Sequence, residues 1–125
     1  MIGFARALRV FAYARPVDQR KSFDTLGVIV REGLGRHLLD GEVFVFVGKT
    51  CKRAKVLWWD GTGTVVLAKR LEKGRFAAPW SALKDGALEW TASELSLFLE
   101  GSEHVVGRSL SPPAWSPSER RIEFI

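Results

Sequence analysis

RAKVLWWDGTGTVVLAKR, residues 53–70, sets two runs of strand-forming residues around Asp60, Gly61, Thr62 and Gly63. The β-branched and aromatic content of Lys55–Trp59 and Thr64–Lys69 predicts two strands. The Asp-Gly pair between them suits the positive φ angles of a tight turn, so the stretch reads as a β-hairpin. Pairing Trp59 with Thr64 sorts its side chains by alternation. One face carries Ala54, Val56, Trp58, Val65, Leu67 and Lys69; it is mostly apolar, is expected to meet the first helix, and places Trp58 in the core. The other carries Arg53, Lys55, Leu57, Trp59, Thr64, Val66, Ala68 and Arg70, a basic face with an aromatic at its tip.

Working outward, Val43–Val47 alternates valine with phenylalanine and reads as a central strand, entered by the Asp40-Gly41 turn and closed by Gly48. Lys49–Arg53 is the loop into the hairpin. A first strand, Leu8–Ala14, stops at Arg15 and Pro16, where proline removes a ladder donor. Between these strands Phe23, Leu26, Val30 and Leu34 recur at helical spacing, predicting a helix from Ser22 to Arg36 capped by Asp18 or Ser22. Gly27 and Gly33 each cost it about 1 kcal/mol relative to alanine, so it depends on packing against the sheet. Downstream, Leu71–Trp80 contains Gly74 and Pro79 and reads as a loop, and Thr91 with Glu94 forms a capping box ahead of Leu95, Phe98 and Leu99, with Gly101 as the stop.

The expected class is therefore α+β: a small antiparallel sheet of about four strands built around the hairpin, one helix on a face, and a C-terminal helix. Residues 1–107 are expected to form one domain. Ser111, Pro112, Pro113, Ser116 and Pro117 mark 108–125 as a poorly ordered tail.

With 46% hydrophobic and 26% charged residues, the composition is that of a soluble globular protein, and no apolar run approaches the ~20 residues that cross a bilayer. Arg6 and Arg9 interrupt the first fourteen residues, so no secretory signal is expected and the cytoplasm is the expected compartment. Cys51 is the single cysteine, and only His37 and His104 accompany it. That excludes an internal disulfide and a multi-cysteine zinc site, and no cofactor is expected. His37 is expected near a helix C-terminus, where it suits the dipole.

Charge is the strongest functional signal. Between Lys49 and Phe76 eight cations face only Asp60 and Glu72, giving +6 where the whole chain carries +5. Basic residues interleaved with aromatics suit a phosphate backbone and exposed bases, so Lys49, Lys52, Arg53, Lys55, Lys69, Arg70, Lys73 and Arg75 are candidate nucleic-acid contacts, with Trp59 stacking on a base. Arg20 and Lys21 are additional candidates. A solvated charged face and an acidic protein partner are the competing readings. Asp18 and Asp24 raise the alternative of a metal-dependent nuclease, but two-metal sites gather three or more acidic groups, and capping and helix ion pairs explain both residues more simply. Asp60 is a turn residue. Cys51 lies in a cationic loop that favours a lowered thiol pKa, yet no histidine neighbours it as a base.

Several of these segments resemble the accessory TnpB protein of the sixty-six family of bacterial insertion sequences. The resemblance rests on Pro16, Asp18, Arg20, Lys21, Phe23, Asp24 and Leu26, and on Phe44, Phe46, Lys55, Leu57, Trp59, Asp60, Gly61 and Gly63. It continues through the run Lys69, Arg70, Leu71, Glu72, Gly74, Arg75 and Phe76 to Leu95, Leu99, Glu100 and Gly101. The chain departs from that pattern at Lys52 and at Ala77, Ala78, Pro79 and Trp80. The resemblance implies a non-catalytic role in transposition beside a separate transposase, with transposon-end DNA and the transposase as partners. The alternative is an interaction subunit without direct DNA contact.

Overall fold

Five consecutive buried residues, Val43–Val47, form the middle strand of a mixed five-stranded sheet. A computed structural model describes residues 8–101 in full and the backbone of 104–105 and 108–109. The sheet strands are β1 (Val10–Tyr13), β2 (Val43–Val47), β3 (Arg53–Trp59), β4 (Thr64–Arg70) and β5 (Ala87–Trp90), in the spatial order β4-β3-β2-β1-β5. A two-stranded pair, β6 (His104–Val105) and β7 (Arg108–Ser109), follows. The expected tail otherwise lies outside the described residues, as does the side chain of His104.

The α+β class holds, with a mixed sheet of five strands where about four antiparallel ones were expected. β1 and β2 run parallel, because the helix between them carries the chain back to the starting end of the sheet. β5 adds itself antiparallel to β1. It is only four residues long, and Trp90 gives it its buried anchor.

The hairpin register is as expected, with Trp59 opposite Thr64 and Arg53 opposite Arg70. Gly61 takes a φ of 104° in the turn, and Asp60 Oδ1 accepts the N–H groups of Thr62 and Gly63 at 2.9 and 3.0 Å.

Both faces of the sheet are covered, which is why β2 has no polar residue. On one face Phe11, Phe44, Phe46 and Leu57 pack with Leu26 and Val30, and Val66 borders them. Those two helical residues belong to α1 (Phe23–Val28) and the wider π turn, Ile29–Gly33, that continues it. The opposite face carries Val43, Val45, Val47, Ala54, Val56 and Trp58 against Leu95 and Phe98 of α2 (Ala92–Leu99) and the buried segment Phe76–Ala78.

Four expectations are corrected here. The face of Ala54, Val56 and Trp58 meets α2, not the first helix, and the face assigned as basic is covered at its middle by α1. Within the first helix, Leu26 and Val30 are buried as expected, but Phe23 is 49% exposed. The helix also ends at Gly33 rather than near Arg36 or His37, so His37 flanks a separate 3-10 turn, Leu38–Asp40. No helix among the described residues is long and apolar enough to cross a membrane.

Candidate functional site

The candidate cations from Lys49 to Arg75 gather at one end of the sheet, where β2 ends, β3 begins and β4 ends. Backbone hydrogen bonds stitch the loops there into a platform. Val17 N–H donates to Val47 O, Gly48 N–H to Arg53 O, Leu71 N–H to Lys52 O (each 2.9 Å), and Phe76 N–H to Cys51 O at 2.7 Å. The Gln19 amide adds bonds to the carbonyls of Val17 and Phe46, both at 3.2 Å.

On this platform the cations differ in how they are held. Lys55 Nζ donates to Lys21 O at 2.7 Å, tying the hairpin to the loop before α1. Lys52 Nζ donates to Gly74 O at 2.8 Å, and Lys69, on the α2 face, donates to Leu99 O at 2.6 Å, where a cation suits the last turn of the helix. These three bond to neutral carbonyls and keep their charge uncompensated. Arg70 reaches Glu72 at 3.8 Å. Among the described residues, no hydrogen bond or ion pair engages the side chains of Lys21, Lys49, Arg53, Lys73 or Arg75.

Arg20 is held differently. It grips Asp18 through its Nη2 at 2.6 Å and its Nε, and its own N–H also bonds that carboxylate. The Arg20 guanidinium therefore holds the Asp18 carboxyl well below the usual carboxylate range. Asp18 thus binds a cation instead of capping the helix, and Asp24 stands apart from it on α1. Among the described residues, no three His, Cys, Asp or Glu side chains gather in a way that could hold a metal ion.

Two adjoining hollows run across the platform. One, of about 380 Å³, is lined by Gln19, Arg53, Ala54, Lys55, Ala68, Lys69 and Arg70. The next, of about 350 Å³, lies over Pro16–Gln19, Gly48–Thr50 and Arg53. Gln19 and Arg53 border both. Sequence reasoning missed Gln19, Gly48 and Ala68, since none carries charge or belongs to a chemical motif.

Trp59 is not part of this cluster. It lies six residues from Arg53 along β3, or roughly 20 Å at 3.3 Å per residue. α1 packs against Leu57 and Val66 between the two. An aromatic at the hairpin tip and cations at its open end therefore cannot act on one nucleotide. Cys51 also departs from expectation: it is buried, and that burial pushes its thiol up despite the opposing field of Arg75.

A third concavity, of about 650 Å³, separates α1 from the Leu38–Asp40 turn. Phe23, Val28 and Leu39 are exposed along it.

A family described as IS66 Orf2 like protein matches residues 8–106. Two proteins of Sinorhizobium fredii are similar over 101 residues, which is 81% of this chain. "Uncharacterized protein y4jC" is 39% identical, with 85% of its own length covered, and "Uncharacterized protein y4hO" is 36% identical, with 86% covered. No solved structure shows a significant match.

Proposed function

Because this chain belongs to the IS66 Orf2-like family, whose members are accessory proteins associated with transposition, we propose that it is a non-catalytic, cytoplasmic protein that binds transposon-end DNA, the transposase, or both, through the basic end of its sheet. The observation that carries this reading is the convergence of Lys21, Lys49, Arg53, Lys55, Arg70, Lys73 and Arg75 on one stitched platform with few acidic partners. Such a surface attracts a phosphate backbone and gains free energy by releasing its condensed counterions. The contacts position the protein on the polymer and carry no base sequence themselves.

The test is binding of labelled element-end DNA across a salt series. Affinity should fall linearly on a log-log plot, with a slope of about −0.9 for each phosphate engaged on duplex DNA. Neutralising Arg53, Lys55 and Arg70 together should flatten that slope. No retention at low salt removes the DNA-binding reading. The groove with exposed Phe23, Val28 and Leu39 favours a second reading, an interaction subunit that meets only the transposase; binding of transposase with no DNA retention selects it.

A further inference from the structure

Arg53 and Arg70 are direct partners on the last rung of the β3–β4 ladder, so their side chains leave the same face of the sheet at neighbouring positions. Two like charges so placed repel, and the sequence around them does little to relieve it. Arg53 has no ion pair among the described residues, and the contact of Arg70 with Glu72 is 3.8 Å long between two well-exposed side chains. Lys55 shares their face two residues further along β3. Its ammonium is fixed by the Lys21 carbonyl, which orients the charge without cancelling it. Opposite Lys55 stands Ala68, whose methyl group leaves open the hollow that these cations border. Two guanidinium groups and one tethered ammonium thus border a space that no side chain fills.

We propose that this hollow is a phosphodiester clamp: Arg53 and Arg70 grip the non-bridging oxygens of one backbone phosphate from two strands, and Lys55 adds the third cation. The proposal deepens the DNA-binding reading of the basic end and rests on it. Two guanidinium forks arriving from neighbouring strands suit a tetrahedral phosphate, whose non-bridging oxygens accept out of a single plane, better than a carboxylate, whose acceptor sites all lie in its own plane. The hollow also continues past Arg53 into the second one, beside Lys49, Thr50 and an Asp18 carboxylate that Arg20 neutralises, which gives the next unit of a polymer a path. A nucleic-acid strand is therefore favoured over an acidic peptide. The unliganded like-charge pair is the cost the site bears for this chemistry.

The test compares the full chain with R53Q, R70Q, the double variant, and K73Q as a control of equal charge change outside the hollow. Oligonucleotide affinity is measured by fluorescence anisotropy at one fixed low salt, with polyglutamate as competitor. Melting is followed in inorganic phosphate and in chloride at matched ionic strength. R53Q and R70Q should each weaken oligonucleotide binding by about tenfold or more, and K73Q by only about two- to threefold. The double variant should lose less than the product of the single losses, because both arginines share one phosphate. Without ligand, the single variants should melt at or above the wild-type temperature, which confirms folding and reports the relieved repulsion. Phosphate should raise the melting temperature of the wild type and not that of the double variant. Equal, small losses for R53Q, R70Q and K73Q overturn the clamp while leaving DNA binding by the basic end intact. Absence of oligonucleotide binding by the wild type overturns both, and capture of polyglutamate in its place assigns the surface to an acidic protein.

Discussion

Gly48 shows how one small residue keeps the platform in shape. A Cβ added there would lie 3.0 Å from Gln19 Cγ and 3.4 Å from the Arg53 carbonyl oxygen. The first neighbour is a flexible side chain, but the second is backbone, and Gln19 is itself committed to the carbonyls of Val17 and Phe46. Gly48→Ala should therefore cost roughly 1–2 kcal/mol, through displaced hydrogen bonds and overpacking. Urea denaturation measures it. Introducing the same change into Gln19→Ala should recover part of the loss, since the two residues are in contact; equal costs in both backgrounds would mean that Gln19 is not what resists the methyl group. Cys51, three residues on, has a left-handed backbone, φ 61°, that non-glycine residues adopt at some cost. It donates its N–H to Gly48 and accepts from Phe76, so the turn that presents Lys49, Lys52 and Arg53 is fixed by backbone bonds at its centre.

Among the elements, α2 was the most legible in the sequence and the most easily tested. Thr91 Oγ1 accepts the Glu94 N–H at 3.2 Å, and the Glu94 carboxylate accepts the Thr91 N–H at 2.7 Å, closing the box that their spacing predicts. Thr91→Ala should cost about 1 kcal/mol. Phe98→Ala should cost about 3–5 kcal/mol, because its ring stacks on Phe76 at 4.8 Å and meets Trp90 at 5.1 Å in the core. Thermal melts of both variants check the order, and a costlier Thr91→Ala would contradict the packing described. The hairpin was equally legible, since turn chemistry and alternation are local. Alternation divides Val56 from Leu57, but it does not say which helix will cover which residue; that depends on the crossover between β1 and β2, a long-range fact. β5 escaped notice because Ala87–Trp90 is too short to show a period. The cationic cluster was visible as a count within a window, and its location only in part. The hairpin register already put Arg53 and Arg70 at the open end and Trp59 at the tip; only the strand directions reveal that the loop before α1 joins the two arginines there.

Across the whole molecule, charges are sorted by end. At the end away from the platform, Arg9 grips Glu89 at 2.7 and 3.0 Å and Arg36 grips Glu42 at 2.7 and 2.8 Å, with both guanidinium groups over the Phe11 ring. Four charges cancel there, which leaves the basic surplus to the opposite end. The Arg36 side chain depresses the Glu42 carboxyl chiefly by hydrogen bonding, and Arg9 depresses Glu89 in the same way. A depressed carboxylate contributes stability that is fully present above its unfolded pKa, near 4.3, and lost as pH falls through the lower folded value. The Glu42 side chain is only 13% exposed, so Glu42→Gln should cost about 1–2 kcal/mol at pH 7 by leaving Arg36 half-buried without its anion. Urea midpoints measured from pH 7 down to pH 3 should show the gap between wild type and variant closing below about pH 4. A gap undiminished at pH 3 would mean that the pair's charge is not its contribution. The same variant separates stability from binding: its site lies a strand length, roughly 20 Å, from Arg53, beyond the Debye length of about 8 Å at physiological salt. Its affinity for DNA at pH 7 should therefore match that of the wild type, although its net charge is one unit more positive.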